Sequence, residues 1–208
     1  MKNPRVILLL SGGFDSAVAG HLLQKKGYTI IPLHLSSTDF AGEESINKCV
    51  ELSKMLAWEK MYVIDIADAL QKMVDQAKHS YFFILMKRFM LRLAGSVAKI
   101  ENIQFIATGE SLGQVSSQTL ANISAIEEAT EFRVLKPLIT FDKNEIIEFS
   151  KEIGTYEIST MPEICDVLGP KHPITNARME SVLIEEEKLD YESILTVCLK
   201  NKILLEFT

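Results

Sequence analysis

The stretch that most constrains the fold of this chain is a short apolar run that ends beside two adjacent glycines. Residues 6–10 are all aliphatic, the segment S-G-G-F-D-S follows at residues 11–16, and an amphipathic segment continues to residue 26. This order predicts a buried β-strand, a glycine turn and the N-terminus of a helix. Such a turn collects free backbone N–H groups and the positive end of a helix dipole, so it favours an anion such as phosphate.

Three side chains of the turn add to this interpretation. Ser11 and Ser16 carry hydroxyl donors, and Asp15 puts a carboxylate beside the predicted anion site. A carboxylate next to a phosphate is typical of a Mg²⁺ site, because Mg²⁺ is held by one or two carboxylates together with phosphate oxygens. The alternative is an ordinary strand–turn–helix corner in which Ser16 caps the helix.

The spacing of the turn differs from the two common phosphate loops, G-x-x-x-x-G-K-[ST] and G-x-G-x-x-G. Instead, S-G-G-x-D-S resembles the signature of the PP-loop ATP pyrophosphatases, which cleave ATP to AMP and pyrophosphate while they adenylate a substrate. The resemblance implies ATP and Mg²⁺ as the cofactors.

Composition sets the broad class of the protein. A chain of 208 residues with 47% apolar content is long enough for one sizeable core. No apolar run reaches the ~18 residues that a membrane span needs, so we expect no membrane partner. No secretory signal is recognisable and the three cysteines are widely spaced. We therefore expect a cytoplasmic protein in a reducing compartment.

The net charge of -6 argues against a broad basic surface for nucleic acid. Local basic side chains remain candidates for contacts with an RNA backbone, among them Lys87, Arg88 and Arg92. For each of them the alternative is an ordinary solvated charge.

Strand-like apolar runs alternate with helical patterns along most of the chain. Strands are predicted at residues 6–10, 29–35, 61–66, 105–108 and 134–135, and helices at 16–26, 43–56, from about 68, 84–101, 120–128 and 142–153. This β-α-β-α order predicts an α/β fold with a doubly wound parallel sheet. Ligands of such sheets bind beyond the carboxyl ends of the strands.

The last part of the chain is less regular. A loop with proline and cysteine at residues 161–173 precedes an acidic helix near 177–189. The apolar stretch 193–207 predicts either a helix or an edge strand, and it is the candidate contact for a homodimer. We expect an ATP-binding domain at 1–173, with 174–208 as an extension packed on that domain.

A polar loop after the fourth predicted strand narrows the resemblance to one family. It reads T-G-E-S-L-G-Q-V-S-S-Q-T-L at residues 108–120, and two further runs are K-P-L-I-T-F-D-K-N-E-I-I at 136–147 and I-G-T-Y-E-I-S-T-M-P-E-I-C at 153–165. Together with the turn at 11–16, these runs resemble the PP-loop domain of the 4-thiouridine tRNA sulfurtransferases, also called the thiamine-biosynthesis sulfur-transfer family. The resemblance covers roughly residues 6–173.

The resemblance implies that a tRNA uridine is adenylated with ATP and then receives sulfur. The sulfur would come from a persulfide donor such as a cysteine desulfurase, or from free sulfide. Family members usually carry N-terminal ferredoxin-like and THUMP regions, and some end in a rhodanese domain. Because the first strand begins at residue 5, we expect a stand-alone form that reaches tRNA through a separate RNA-binding protein.

The resemblance also implies which residues form the site. Positions expected to bind the nucleotide are Leu9, Leu10, Ser11, Gly12, Gly13, Asp15, Ser16, His34, Leu35, Lys87, Gly109 and Gln118. Asp15 and Lys143 match residues needed for activity, and Asp15 is the expected metal ligand. Cys165 matches the cysteine that carries or receives sulfur.

Each of these assignments has a simpler structural alternative. His34 could pack at the end of a strand, as lone histidines usually do. Lys143 could be a first-turn helix residue, although a lysine there opposes the helix dipole unless an anion lies nearby. Cys165 could be a buried structural thiol, whereas a polar loop with downstream basic residues favours an accessible thiol of lowered pKa.

Two other functions remain open from the residues alone. The turn could serve a related adenylating enzyme, such as one that amidates a small molecule with ammonia and needs no cysteine. The chain could also be a non-catalytic ATP-binding subunit, which would bind ATP without releasing pyrophosphate.

Overall fold

The structure is a computed structural model that describes residues 3–37, 43–160 and 168–207. The first half of the chain forms β1 (Arg5–Leu9), α1 (Phe14–Lys25), β2 (Thr29–Ser36), α2 (Glu44–Met55), β3 (Lys60–Asp65), α3 (Ala67–Gln76) and α4 (Phe82–Glu101). The second half forms β4 (Phe105–Ala107), α5 (Leu120–Glu127), β5 (Arg133–Leu135), α6 (Lys143–Glu152), α7 (Tyr156–Ser159), α8 (Met179–Glu186), α9 (Tyr191–Lys200) and β6 (Ile203–Glu206).

The strands form a six-stranded sheet in the order β5-β4-β1-β2-β3-β6. The first five strands are parallel to their neighbours, and β6 pairs with β3 in the antiparallel sense. This confirms the predicted α/β doubly wound sheet. An antiparallel edge strand on an otherwise parallel sheet is common in such folds. The stretch 193–207, for which the pattern allowed a helix or a strand, contains most of α9 and all of β6.

Helices cover both faces of the sheet, and successive residues of β1 point to opposite faces. Val6 and Leu8 pack in a core shared with α1, α2 and α6. Ile7, between them, packs in a second core shared with α3 and α4. Since both faces are buried, the central strands need apolar residues at every position, which is why β1 reads as an unbroken aliphatic run.

Two helix boundaries differ from the prediction for local reasons. Helix α1 begins at Phe14 because Gly13, in extended conformation, is its N-cap, so Asp15 lies in the first turn. The predicted interruption between the helix from about 68 and the helix at 84–101 falls at residues 77–81, and α4 begins at Phe82, two residues before the predicted start. The break begins at Ala77, whose backbone is extended.

The C-terminal elements are held to the same sheet and helices. β6 pairs with β3, and α9 packs on α4. Glu186 of α8 accepts hydrogen bonds from both Arg88 and Arg92 of α4, at 2.6 to 2.9 Å. Within the described ranges, no helix combines the length and apolar character that crossing a bilayer would require.

Strand order fixes where a ligand can bind. From β1 the chain adds β2 and β3 on one side and then returns to place β4 and β5 on the other. The connections after β1 and β4 therefore leave the sheet in opposite directions and open a crevice at their carboxyl ends. The glycine turn at 11–16 and the loop that begins at Thr108 both lie at this edge.

Candidate active site

A cleft of about 190 Å³ lies at the crevice between β1 and β4. Its walls come from β1 and the glycine turn, from the loop after β4, and from α4 and α5. The lining residues are Leu9, Ser11, Asp15, Ser16, Lys87, Met90, Leu91, Thr108, Gly109, Glu110, Gln118 and Ile126. Seven of the positions that the sequence assigned to nucleotide binding are among them: Leu9, Ser11, Asp15, Ser16, Lys87, Gly109 and Gln118.

The glycine turn leaves the N-terminus of α1 open to an anion. Gly12 has a φ of +93°, in the left-handed region that glycine adopts at little cost. Gly13 is the N-cap, and no side chain of the described residues caps the helix. The first-turn N–H groups of α1 and the helix dipole are thus available for a negatively charged ligand.

The two serines of the turn bond mainly to the turn itself. The Ser16 hydroxyl is buried and donates to the carbonyl of Gly13 at 3.0 Å. The backbone N–H of Ser11 donates to the same hydroxyl at 3.3 Å, and the N–H of Gly13 donates to the Ser11 hydroxyl at 3.2 Å. Ser16 therefore shapes the turn rather than capping the helix, and the exposed Ser11 is the serine placed to meet a ligand.

Asp15 carries a carboxylate oxygen without a partner. Its Oδ1 atom is buried and has no hydrogen bond to any described residue. Burial raises the pKa of this carboxyl from 3.8 to about 6, and the positive charge of Lys143 opposes the rise. A buried, unpaired carboxylate is costly, and a cation beside it removes that cost.

Lys143 comes from a distant part of the sequence and acts on Asp15 through its charge. It is the first residue of α6, and Asp142 caps that helix by accepting from the N–H groups of Asn144 and Glu145. Helix α6 packs on α1, which brings the ammonium group near enough to lower the pKa of Asp15. The helix dipole alone disfavours a lysine at this position, so an anion between α1 and α6 would stabilise it.

Lys87 is held at the cleft wall by a residue that the sequence reasoning missed. Its ammonium group donates to Glu110 Oε1 at 2.7 Å. Thr108 donates to the other oxygen at 3.2 Å, and Lys136 lies 3.5 Å from it. Burial favours the neutral acid, but the two lysines outweigh it and lower the pKa of Glu110. One signal was available, because Glu110 is the single charged residue in the polar run 107–120.

Gly109 and Gln118 occupy different places in the cleft. A Cβ atom on Gly109 would lie 2.6 Å from backbone atoms of Asp15 and Ser16, so the glycine allows the β4 loop to pack directly on α1. Gln118 lines the cleft, and its Oε1 atom is buried without a partner in the described part of the chain. That acceptor is available to a ligand donor.

His34, Leu10 and Leu35 are not among the residues that line the cleft. The His34 ring is buried, with Nδ1 2.9 Å from the Leu10 carbonyl and Nε2 3.2 Å from the Ser45 hydroxyl. Burial lowers the pKa of His34, so the ring is neutral and Nδ1–H donates to Leu10. The side chain supports the floor of the turn. Cys165 lies outside the described residues.

Two of the basic candidates for RNA contacts are engaged inside the protein. Arg88 is 2% exposed and pairs with Glu186 through two hydrogen bonds. Arg92 pairs with the same carboxylate and stacks over the ring of Tyr191 at 4.6 Å. These two ion pairs hold α8 on α4, so the arginines do not project into solvent as RNA contacts would. Removing either arginine would leave the buried Glu186 carboxylate underpaired.

Comparison with known proteins agrees with this geometry. Residues 2–191 match the family described as "Thiamine biosynthesis protein (ThiI)". A "Probable tRNA sulfurtransferase" of Finegoldia magna is 38% identical over 97% of this chain and 53% of its own length. The protein of the same description from Thermus thermophilus is 37% identical over 98% of this chain and 52% of its own length.

A solved structure extends the comparison to three dimensions. The crystal structure of a 4-thiouridine synthetase–RNA complex with bound ATP superposes with a TM-score of 0.94 and 31% identity, covering 99% of this chain and 55% of that chain. The chain spans about half the length of the curated relatives it matches. The match over residues 2–191, together with the cleft at the β1–β4 crevice, shows that the chain belongs to the thiamine biosynthesis protein (ThiI) family.

Proposed function

We propose that this chain is a tRNA sulfurtransferase of the 4-thiouridine type, which adenylates a tRNA uridine with ATP and then replaces the activated oxygen with sulfur. One observation carries the proposal: the N-terminus of α1 and the Asp15 Oδ1 atom, neither of which has a side-chain partner among the described residues, share a cleft with Lys87 and lie near Lys143. The helix N-terminus and the two lysines suit negatively charged phosphates, and the Asp15 carboxylate suits a cation. The ATP and RNA in the related 4-thiouridine synthetase support the same conclusion.

The cation that fits is Mg²⁺. Asp15 is the residue that would hold it, since its Oδ1 oxygen is buried and has no hydrogen-bond partner in the ranges that the structure describes. The described ranges contain no group of three or more His, Cys, Asp or Glu side chains suited to a metal. Phosphate oxygens would complete the coordination, as is usual for Mg²⁺ in nucleotide sites. When bound, the ion supplies charge neutralisation for the phosphates.

In the adenylation step the chain's own groups bind and orient the triphosphate. The N–H groups of the α1 N-terminus hold the departing pyrophosphate, and Lys87 and Lys143 stabilise negative charge on the transferring group. The uridine oxygen attacks the α-phosphorus, the bond to the β-phosphate breaks, and pyrophosphate leaves. The side-chain carbonyl of Gln118, which accepts no hydrogen bond from the described residues, can accept one from an amino or hydroxyl group of the bound nucleotide.

The second step forms a carbon–sulfur bond and releases AMP together with the former uridine oxygen. Sulfide, or the terminal sulfur of a persulfide on Cys165, is the nucleophile. With a persulfide, the disulfide that forms between Cys165 and the base needs a further thiol to release the thiolated product. A cysteine desulfurase is the persulfide donor of this proposal, and a separate RNA-binding protein presents the tRNA to the acidic chain.

The test is mass spectrometry of tRNA nucleosides from a strain that lacks the gene. We expect 4-thiouridine to disappear and to return with the wild-type gene, whereas Lys143→Ala returns about 1% of it or less, a loss typical of removing a charge-stabilising group. Unchanged 4-thiouridine in the deletion strain would refute the proposed acceptor. Full thiolation with Cys165→Ala would refute transfer through that thiol and leave free sulfide as the donor.

A further inference from the structure

The Glu110 carboxylate occupies an unusual place for a negative group. It lies in the wall of a cleft that the proposed function assigns to ATP, where a free carboxylate would repel the phosphates. The residue is only 9% exposed, and both of its oxygens are occupied by cations or a hydroxyl. A carboxylate in this cleft wall is explained if its role is to hold a lysine ammonium group in place.

We propose that Glu110 is a positioning residue that fixes the Lys87 ammonium group at the cleft wall, where it meets the phosphates of ATP. This inference rests on the proposed function. Lys87 projects from α4 on a side chain with four rotatable bonds, and an unpaired lysine there would sample many positions. The 2.7 Å bond to Glu110 selects one of them. A lysine ammonium has three protons, so two remain to face the cleft.

The other contacts of Glu110 explain how the carboxylate itself is fixed. Thr108, at the end of β4, donates to Oε2, and Lys136, which follows β5, lies beside the same oxygen. Lys136 also pairs with Glu127 on α5. The carboxylate is thus tied to the frame of the sheet and leaves Oε1 for Lys87. The side chain of Lys136 is 8% exposed, whereas that of Lys87 is 21% exposed. This difference agrees with a structural role for Lys136 and with ligand contact for Lys87.

The experiment measures the ATP dissociation constant by calorimetry, without tRNA or a sulfur donor. Glu110→Gln keeps the shape but removes the charge, and we expect about tenfold weaker ATP binding or more. Glu110→Asp keeps the charge and should lie between the wild type and Glu110→Gln. Glu127→Gln is the matched control, because it removes a carboxylate from the same network outside the cleft, and it should stay within about twofold of the wild type.

A double-mutant cycle separates positioning from a general structural effect. In a Lys87→Met background, Glu110→Gln should change ATP affinity by less than about twofold, because the group it positions is gone. An equal loss in both backgrounds would overturn the inference, and so would unchanged affinity of Glu110→Gln in an otherwise wild-type chain. Should Glu110→Gln lack a cooperative thermal transition, Glu110→Asp replaces it in the same cycle with the same criteria.

The two proposals fail in different ways. A wild-type chain that binds no ATP overturns the proposed function and this inference together. A wild-type chain that binds ATP, with no coupling between Glu110 and Lys87, overturns the inference alone.

Discussion

At the scale of single residues, the buried Asp15 carboxylate lowers the stability of the folded, ligand-free protein. Burial raises the pKa of Asp15 from 3.8 to about 6. Without a bound cation, the folded state therefore disfavours the charged form of this carboxyl group. The full shift corresponds to about 3 kcal/mol, and solvent around the partly exposed group reduces this to about 1–2 kcal/mol.

We therefore predict that Asp15→Asn abolishes pyrophosphate release and yet stabilises the ligand-free protein by about 1–2 kcal/mol at pH 7. The folded state binds the extra proton between pH 3.8 and about 6, so the stability of the wild type relative to the variant falls as pH rises through that window. Urea unfolding at several pH values measures this. Asp68→Asn is the control, an exposed first-turn residue of α3, and it should lose a few tenths of a kcal/mol instead. A destabilised Asp15→Asn protein would contradict the argument.

Gly109 carries a second prediction at this scale. In Gly109→Ala the new methyl group meets backbone atoms at 2.6 Å, and backbone cannot rotate aside as a side chain can. We expect a loss of about 1–3 kcal/mol in stability and loss of ATP binding, because the β4 loop and the α1 N-terminus must separate. Gly27→Ala is the control, since Gly27 has a φ of +87° and open space around it, far from the cleft. It should cost about 1 kcal/mol and leave ATP binding intact.

At the scale of elements, the sequence correctly predicted the strands, turns and helices whose local pattern agrees with their place in the fold. The aliphatic run of β1 and the S-G-G-F-D-S turn identified the crevice because strand, turn and helix start are all local signals. The final stretch 193–207 was ambiguous because α9 and β6 are both apolar, and only the pairing of β6 with β3 separates them. Arg88 was misread as a surface charge because its partner, Glu186, lies 98 positions away.

One buried asparagine connects the cleft loop to the C-terminal segment. Asn122 is fully buried on α5; its Nδ2 donates to the carbonyls of Ser116 and Ile174, and its Oδ1 accepts from the N–H of Ala177. These bonds fix the short turn that carries Gln118 (Ser116–Gln118).

Asn122→Leu keeps the approximate volume but leaves three backbone groups unpaired, so we predict a loss of about 3 kcal/mol or more in the free energy of unfolding. Hydrogen exchange should also become faster in the segments around Ser116 and Ala177 than in β1. Asn47→Leu, at an exposed position of α2, is the matched control and should change stability by less than about 0.5 kcal/mol. Equal effects of the two substitutions would contradict the assigned role of Asn122.

At the scale of the whole molecule, the candidate site is an assembly of residues that are far apart in sequence. Asp15 and Gly109 could be assigned from motifs, but the closeness of Asp15 to Lys143 depends on α1 packing against α6. Glu110 stood out as the lone charge in the run 107–120, but its pairing with Lys87 and Lys136 could not be predicted, because ion pairs between residues far apart in sequence leave no local pattern. The resemblance assigned His34 to the nucleotide, and this stays a prediction; the contacts of its ring with the Leu10 carbonyl and the Ser45 hydroxyl have no signal in the sequence.

Paired glutamates determine how the molecule responds to acid. Among the described residues, four glutamates have a lowered pKa because lysine, arginine and other donors outweigh the effect of burial: Glu101, Glu110, Glu185 and Glu186. A carboxyl group whose pKa is lower in the folded state stabilises the fold above its unfolded pKa near 4.5, and this contribution is lost as pH falls through the folded value. We therefore predict a steep loss of stability below about pH 4.5.

Glu186→Gln isolates the contribution of the carboxylate that pairs with the buried Arg88. The variant leaves the buried Arg88 without a charged partner, so it should cost about 3 kcal/mol or more at pH 7. This difference from the wild type should shrink as pH falls below 4.5, because protonation removes the same charge from the wild type. Urea unfolding at pH 7, 5, 4 and 3 measures both curves, with the exposed Glu180→Gln on the same helix as control. A difference that stays constant over this pH range would mean that packing, and not the ion pair with Arg88 and Arg92, holds α8 on α4.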